Sequence, residues 1–352
     1  MGLDDFFHGK RVLVTGGAGT VGTEMIRQIS RKSPKELRVI DHNEEGVFRT
    51  DHLFADFPAV NVMVGDVRDT NTVHDVMDGI DIVFHAAALK HVSICERSPL
   101  DAVMTNIKGV ENIIRAALHH KVPRVVFTST DKAVNPTNVM GTSKLMGERI
   151  ITAANNYAKD MNVVFISTRF GNVMGSRGSV ISTFFKQIRK GGPVTVTDKR
   201  MTRFIMSIEE SVRLVLAAAK VAKGGEVFVT KMPTVRVIDL ARVLIDMLAA
   251  RYSHDSKNIE IVEIGVKPGE KLYEELMTSE EANRTIELEH LYAILPAFRP
   301  LYKDIDFTYS GYNNLKVESS VDSRSQSILS YDEIREFIEK NLNFNMMENE
   351  NE

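Results

Sequence analysis

Short runs rich in valine and isoleucine alternate with longer segments of helical period along the first half of the chain. This alternation is typical of buried parallel strands joined by helical crossovers. The predicted strands are RVLVTG (11–16), LRVID (37–41), VNVMVGD (60–66), DIVFHAA (81–87), RVVFTST (124–130) and NVVFISTRF (162–170). The pattern therefore predicts an α/β fold built on a doubly wound parallel sheet.

The pattern changes after Phe170, where glycines become frequent, as is typical of loops shaped around a ligand. A helix at 208–222 and a strand at 226–231 follow, and Ser330 with Glu333 predicts a capped helix near the end. We therefore expect a first domain at 1–171, to which 206–231 returns, a smaller interleaved α+β region at 172–205 and 232–317, and a C-terminal helix with a polar tail at 318–352.

The charge balance gives no electrostatic reason to expect nucleic acid or an anionic membrane as a partner. The chain has 352 residues, with 44 basic and 47 acidic side chains and a formal charge of −3. Its single cysteine, Cys95, excludes an internal disulfide framework and is expected to be an unreactive thiol. Neither a secretory signal nor an apolar stretch of about 20 residues is present, so we expect a cytoplasmic protein.

A glycine-rich turn lies between the first predicted strand and the helix that follows it. The segment VLVTGGAGTVG places Gly16, Gly19 and Gly22 there, with Thr20 and Val21 between the last two glycines. Backbone N–H groups and a helix N-terminus can approach a pyrophosphate closely only where no Cβ atom intervenes. The turn therefore predicts dinucleotide binding.

Acidic residues end the second and third predicted strands. Asp41 is placed to accept hydrogen bonds from the adenosine ribose, which favours NAD over NADP because a carboxylate repels a 2′-phosphate. Arg49, further along, is able to serve a phosphate, so NADP stays open. Asp66 suits the edge of the adenine, and a cap at the strand end is an equally good interpretation.

Several motifs together resemble a known family. The broader resemblance is to the extended short-chain dehydrogenase/reductases, and it extends as far as Lys231. It comes from the glycine turn, GDV (65–67), HAAA (85–88), Asn106, STD (129–131) and a distal lysine. A narrower resemblance, to the CapD-like sugar-nucleotide 4,6-dehydratases of bacterial polysaccharide and nonulosonic acid synthesis, comes from AALKHV (87–92), STDKAVNPTNVMG (129–141), RFGNVMGSRGSV (169–180), TRFIM (202–206) and KPGEKLYEEL (267–276).

The resemblance implies an NAD-binding Rossmann domain and two sets of contacts, with no metal ion. The cofactor contacts are Gly16, Gly19, Thr20, Val21, Gly22, Asp41, Asn43, Asp66, Val67, Ala86, Ala87, Lys90, Asn106 and Lys144. The substrate contacts are Lys90, Asn172, Val180, Thr195, Arg203 and Glu270.

One position departs from the pattern of the broader family. A tyrosine that takes the substrate hydroxyl proton is expected four residues before Lys144, and Met140 stands there instead. A thioether cannot take a proton. The dehydratase branch includes enzymes with methionine here, and its Thr-Asp-Lys run is present as Thr130, Asp131 and Lys132. The substitution is therefore interpreted as the mark of a subtype.

The resemblance also implies a mechanism. NAD takes a hydride from sugar carbon 4, Lys132 removes the proton on carbon 5, Asp131 protonates the hydroxyl leaving carbon 6, and the hydride returns to carbon 6. The ordinary pKa values of aspartate, about 3.9, and of lysine, about 10.4, favour an ion pair, whereas burial opposes it, so exchanged roles for the two residues stay open. Thr130 is expected to bind the carbon 4 hydroxyl and Lys144 the nicotinamide ribose, and water or Asp131 to take the first proton.

UDP-N-acetylglucosamine is the substrate that the resemblance favours, although these residues do not distinguish uracil from guanine. The product is left open between a 4-keto-6-deoxy sugar, with carbon 5 retained or inverted, and a 5,6-unsaturated sugar. The alternatives are a 4-epimerase, which needs the tyrosine, and a non-catalytic NAD-binding module. A homodimer or higher assembly is expected, through helices near 104–119 and 142–159.

Overall fold

The computed structural model describes residues 2–159, 161–176, 178–302, 305–310, 315–317, 319–342 and 344, so most of the predicted polar tail lies outside the described residues. The chain divides into two compact units. The first comprises Met1–Phe170, Ser211–Lys231 and Met277–Ser320, and the second comprises Gly171–Glu210, Met232–Leu276 and Val321–Glu352.

The α-helices are Leu3–Phe7 (α1), Thr20–Ser30 (α2), Glu44–Leu53 (α3), Thr70–Met77 (α4), Val92–Arg97 (α5), Pro99–Val103 (α6), Gly109–His119 (α7), Val139–Ala154 (α8), Val180–Arg189 (α9), Ile208–Val221 (α10), Val237–Leu248 (α11), Ser279–Ala282 (α12) and Tyr331–Asn341 (α13). A π-helix spans Met104–Lys108, and 3₁₀ turns span Asp131–Ala133, Ala250–Tyr252, Ser256–Asn258 and Arg299–Tyr302. Among the described residues, no helix has both the length and the apolar character that crossing a lipid bilayer requires.

The strands are Arg11–Thr15 (β1), Glu36–Asp41 (β2), Val60–Val64 (β3), Ile82–His85 (β4), Arg124–Thr130 (β5), Val164–Phe170 (β6), Asn172–Val173 (β7), Val194–Val196 (β8), Thr202–Met206 (β9), Val227–Thr230 (β10), Thr234–Arg236 (β11), Ile261–Glu263 (β12), Glu275–Met277 (β13), Thr285–Glu287 (β14), Leu291–Ile294 (β15), Leu315–Lys316 (β16) and Val321–Asp322 (β17).

The first unit is built on one large sheet in the order β16-β14-β15-β10-β6-β5-β4-β1-β2-β3. Within this sheet order, every pair of neighbouring strands from β10 to β3 is parallel. All six strands predicted in the first half of the chain are present. The prediction of a doubly wound α/β fold is therefore confirmed. Since the carboxyl ends of parallel strands share one edge of a sheet, the segments after β1, β4 and β5 come together there.

The position of residues 277–317 differs from the sequence-based expectation, which put them in the second region. In the structure Met277–Ser320 belongs to the first unit. The reason is strand pairing, because β15 lies antiparallel to β10 and β14 antiparallel to β15, which extends the main sheet. These strands have only three and four residues, which is too short for periodicity to show which sheet they join.

The second unit has its own small sheets and its own apolar core. Strands β11, β9 and β7 form one sheet, and β12 pairs with β8 in another. Helices α9, α11 and α13 enclose a core that includes Phe184, Leu244 and Ile338. The predicted capping box at Ser330 and Glu333 begins α13 and is confirmed. Residues from Val321 onward are thus part of this unit.

Candidate active site

The glycine turn after β1 is packed directly against the segment that follows β4. Gly16 has φ of +73°, and a Cβ atom there would lie 2.6 Å from the backbone nitrogen of Ala87. A Cβ atom on Gly22 would lie 2.2 Å from the carbonyl oxygen of Gly16. Glycine is therefore required at both positions by conformation or by close backbone approach. Gly19, in contrast, is exposed at the N-cap of α2.

The start of α2 fits an anionic group. The N-cap residue of α2 is Gly19, which has no side chain to cap the helix, and Thr20 and Val21 form its first turn. Asp41, at the end of β2, accepts a hydrogen bond from the Ala18 amide at 3.1 Å and stays partly accessible beside the turn. These features suit a pyrophosphate on the helix and a ribose hydroxyl on the carboxylate.

The remaining residues expected around the adenosine have visible structural partners. Asn43 caps α3, its side-chain oxygen accepting from the Gly46 amide at 2.7 Å. Asp66 forms a bidentate ion pair with Arg68, which lowers the pKa of the carboxyl. Val67 is buried in the core. Local structure therefore explains all three side chains, and a cofactor role for them stays a prediction.

His85, at the end of β4, is fully buried and hydrogen-bonded to the strand beside it. Its Nδ1 atom lies 2.7 Å from the hydroxyl of Thr15, and its Nε2 atom has no hydrogen-bond partner among the described residues. Burial, with repulsion from Lys144, lowers the pKa of His85 to about 3. The imidazole is therefore neutral at any working pH. The amides of Ala86 and Ala87 follow, donating to Thr15.

Asn106 links the segment after β4 to helix α8. Its side-chain oxygen accepts from the Leu89 amide at 2.8 Å, and its side-chain nitrogen donates to the Leu89 carbonyl and to the Ser143 hydroxyl. Ser143 in turn donates to the Met140 carbonyl at 2.7 Å. Both N–H groups of Asn106 are thus used within the protein, which favours a positioning role over a direct cofactor contact.

The Thr-Asp-Lys run forms a compact hydrogen-bonded group at the end of β5. Asp131 is fully buried, and its Oδ1 atom accepts from the Lys132 ammonium at 2.9 Å and from the Thr130 hydroxyl at 3.0 Å. Its Oδ2 atom is buried and has no hydrogen-bond partner among the described residues. A buried carboxylate oxygen without a partner is costly in a folded protein, so this atom is a strong candidate for contact with a bound molecule.

Helix α8 packs tightly against this group because two of its residues are glycines. A Cβ atom on Gly141 would lie 2.3 Å from the Lys132 carbonyl oxygen, and one on Gly147 would lie 2.7 Å from the ring of Phe127. Asn138 caps the helix by accepting from the Gly141 amide. The start of α8 is therefore held against the backbone of the Thr-Asp-Lys run.

Lys144, one turn into α8, is buried beside β5. Its ammonium lies 4.2 Å from the ring centroid of Phe127. Burial lowers the pKa of Lys144 to about 7, although the carboxylate of Glu148 acts in the opposite direction. Both protonation states are therefore accessible near neutral pH.

Met140 lies in an apolar cluster with Cys95 and Ala102, against which Leu89 and Val92 pack. The surroundings of the thioether match its chemistry, so this position is structural and takes no part in proton transfer. Cys95 is fully buried, and burial raises its thiol pKa, as expected for an unreactive thiol.

In the second unit, Arg203 on β9 is buried and bound by its own unit. Its guanidinium donates to the carbonyl oxygens of Thr202 at 2.8 Å and Lys271 at 2.9 Å, and lies 3.8 Å from a carboxylate oxygen of Glu274. These contacts tie β9 to the 271–274 segment. They favour a bracing role for Arg203 over the expected contact with a phosphate.

The other predicted substrate residues are more accessible than Arg203. Thr195 is held by Gln187, which donates to its hydroxyl at 2.7 Å, and Glu270 accepts from the Lys267 amide while remaining partly exposed. Asn172 and Val180 are partly exposed in β7 and at the start of α9. Lys90 is exposed in the loop after β4 in the first unit. Their roles toward a substrate stay predictions.

Sequence reasoning missed two positions that the structure connects to the site. His85 was quoted within HAAA without a role of its own, and Ser143 lies immediately before the distal lysine. Both act through partners distant in sequence, Thr15 and Asn106. The sequence signal for His85 was that it is a polar residue at the end of an apolar strand.

The chain matches the family described as "Polysaccharide biosynthesis protein" over residues 12–296. It is 47% identical to an uncharacterized membrane protein of Methanocaldococcus jannaschii, over 84% of this chain and 88% of the relative. It is 38% identical to a UDP-N-acetylglucosamine 4,6-dehydratase (inverting) of Campylobacter jejuni, over 86% and 87%, and 38% identical to a UDP-glucose 4-epimerase of Rickettsia bellii, over 94% and 96%.

A solved structure shares the fold closely. The X-ray structure of Pen from Bacillus thuringiensis superposes with a TM-score of 0.88 at 40% identity, covering 96% of this chain and 99% of that one. The resemblance drawn from the motifs is thereby confirmed. The chain belongs to the polysaccharide biosynthesis protein family, within the extended short-chain dehydrogenase/reductases.

Proposed function

We propose that this protein is an NAD-dependent nucleotide-sugar 4,6-dehydratase that acts on UDP-N-acetylglucosamine in the synthesis of cell-surface glycans. The observation that carries the proposal is the contact between Lys132, which is partly exposed, and the fully buried Asp131 at the end of β5, with one carboxylate oxygen left without a partner in the described part of the chain. The 38% identity to a relative with this activity supports it.

The residues present fit a nicotinamide dinucleotide. Its pyrophosphate would lie on the uncapped start of α2, its adenosine ribose on Asp41, and its nicotinamide ribose near Lys144. The chemistry that such a group supplies is reversible acceptance of a hydride. NAD is preferred over NADP because the carboxylate of Asp41, which already binds the turn, would repel a 2′-phosphate.

The chain's own contribution is proton transfer at carbons 5 and 6 of the sugar. Once carbon 4 is a ketone, the carbon 5 proton is acidic, and in this proposal the uncharged amine of Lys132 takes it. The electrons of that bond form the double bond to carbon 6 as the carbon 6 hydroxyl leaves with a proton from Asp131, so one water is lost.

The 2.9 Å contact between Lys132 and Asp131 gives this step a driving force. The step requires the form of the pair in which the proton lies on Asp131, an uncharged amine beside a carboxylic acid, and it leaves the pair as an ammonium and a carboxylate in direct contact. Transfer of one proton back along the same contact restores the starting state. The exchanged assignment, with Asp131 as base and Lys132 as acid, needs the same contact.

A 4-epimerase is the second candidate, because the 38% identity to the Rickettsia epimerase extends over 94% of this chain. Epimerisation inverts carbon 4 and breaks no bond at carbons 5 or 6. The Asp131–Lys132 pair would then have no task, which is why dehydration is preferred.

The test is mass spectrometry of full-length protein incubated with UDP-N-acetylglucosamine and NAD. Loss of one water from the sugar is expected, with no loss in Lys132→Met and an unchanged rate in Lys199→Met, which removes an exposed lysine of the second unit. Proton NMR then separates a 4-keto-6-deoxy product from an alkene.

Other outcomes would overturn the proposal. Unchanged mass with inversion at carbon 4, on this sugar or on UDP-glucose, would identify an epimerase. Binding of NAD without turnover of UDP-, GDP- or TDP-sugars would identify a non-catalytic module.

A further inference from the structure

Three histidines that are far apart in sequence meet on one side of the first unit. His74 lies in α4, His119 is the last residue of α7, and His120 follows it. One ring nitrogen from each lies within 4.8 Å of the others. The proposed function uses none of them.

From this cluster we infer a binding site for one divalent transition-metal ion of the Zn²⁺ type, held by His74, His119 and His120. Imidazole nitrogen is a preferred ligand of Zn²⁺, and three histidines with a fourth position left to water is a common zinc arrangement.

The distances suit this coordination. With Zn–N bonds of about 2.0–2.1 Å, nitrogens on two corners of a tetrahedron are about 3.3 Å apart. The Nε2 atom of His120 and the Nδ1 atom of His74 are 3.4 Å apart. Since His119 is exposed on the surface, its ring can turn to close the remaining distance without disturbing the core.

A carboxylate stands behind one ligand. With Nε2 of His120 directed at the metal, Nδ1 of the same ring faces a carboxylate oxygen of Asp78 at 3.8 Å. A carboxylate behind a ligating imidazole fixes the orientation of the ring and increases its basicity.

The cluster is poorly explained as a set of ordinary surface histidines. Histidines in the last turn of a helix are favourable when protonated, because they complement the helix dipole. Three imidazolium rings this close would repel one another, with ring centroids of His74 only 4.6 Å and 4.4 Å from those of His119 and His120. A ligand shared by the three rings therefore explains their close approach better than three separate surface side chains do.

The position of the cluster indicates a structural clamp. His120 precedes the start of β5, whereas the Thr-Asp-Lys run follows its end, and a seven-residue strand is roughly 20 Å long. The metal would join α4 to α7 at the edge of the sheet opposite the candidate catalytic residues.

The test is titration of tag-free, chelator-treated full-length protein with Zn²⁺ by calorimetry, and with Co²⁺ by visible absorption. We expect one ion per chain, a rise of the thermal midpoint with Zn²⁺, and Co²⁺ bands of a four-coordinate site. His119→Ala, which removes an exposed side chain, should weaken binding by more than roughly 100-fold, and Asp78→Asn by about 10-fold.

His290→Ala is the matched control, because it removes an exposed histidine outside the cluster. It should bind Zn²⁺ as the unmodified protein does. Absence of binding, equal binding in His119→Ala, or equal loss in His290→Ala would each overturn the site. None of these measurements uses a sugar nucleotide, so the result is independent of the proposed function.

Discussion

In the first unit, Asp131 is fully buried, with one oxygen bound by Lys132 and Thr130 and the other without a partner in the described part of the chain. In the second unit, Arg203 is also buried, but its guanidinium donates to backbone carbonyl oxygens and lies near Glu274. A buried polar atom without a hydrogen bond lowers the stability of a fold, whereas a buried polar atom with its hydrogen bonds made helps to hold the fold together. Asp131 thus has the open hydrogen-bonding capacity that its proposed role requires, whereas the guanidinium of Arg203 is used within its own unit.

The largest effect is expected from Asp131→Asn, which keeps the shape of the side chain and removes its acid–base function. Turnover of the nucleotide sugar should fall by about 10²- to 10⁴-fold, while NAD binding persists. Steady-state kinetics and NAD titration measure the two properties. Asp198→Asn is the matched control in the second unit, since both oxygens of Asp198 already bind Arg200. Normal turnover in Asp131→Asn would remove this carboxylate from the mechanism.

Replacing Arg203 by methionine should mainly affect stability. The change leaves the buried Glu274 carboxylate and several carbonyl oxygens without their partner, so the free energy of unfolding should fall by about 3–5 kcal/mol. Denaturant unfolding measures the loss, and Arg335→Met, which removes an exposed arginine whose partner Glu339 is also exposed, should change little. Should Arg203→Met instead unfold normally and bind the nucleotide sugar weakly, the residue would be a substrate ligand after all.

Lys144→Met tests the burial of a charge in the first unit. The pKa of Lys144 is about 7 in the folded protein, below the ordinary lysine value of 10.5. Between these pH values the unfolded chain binds more protons than the folded chain does. Lys144 therefore lowers the free energy of unfolding most below pH 7, and progressively less as the pH rises toward 10. The variant should therefore gain on the order of 1–4 kcal/mol near pH 6 and lose that gain toward pH 10. Thermal unfolding at several pH values measures it, and a pH-independent difference would show that Lys144 is not desolvated.

The smallest effect is expected at Met140. Met140→Tyr would place a phenol in the apolar cluster with Cys95 and Ala102, which should cost about 1–3 kcal/mol of unfolding free energy through overpacking and a buried hydroxyl. Met140→Leu preserves volume and should cost less than about 1.5 kcal/mol. Equal stability of both variants would mean that the pocket accommodates the tyrosine of the broader family.

Much of the fold was predictable because buried parallel strands are continuous apolar runs. Segments such as 11–16 and 124–130 need only their own residues to be recognised. The antiparallel strands β14 and β15 were assigned to the wrong unit because strands of three and four residues do not indicate which sheet they join.

For the candidate site, the sequence identified the residues but left their partners unknown. Glycines, acids and lysines at strand ends indicate chemistry, since backbone conformation and side-chain type are local properties. Nothing in the sequence indicated that Asn106 uses both N–H groups within the protein, or that the guanidinium of Arg203 donates to backbone carbonyl oxygens.

The sequence by itself determined the parallel sheet, the glycine turn and the Thr-Asp-Lys run, because each depends on residues that are neighbours in the chain. The tertiary structure alone decided that Asp131 keeps an oxygen without a partner among the described residues, and that His74 meets His119 and His120. Burial and contact between distant residues are set by how elements pack, and the order of residues in a chain does not contain that information in readable form.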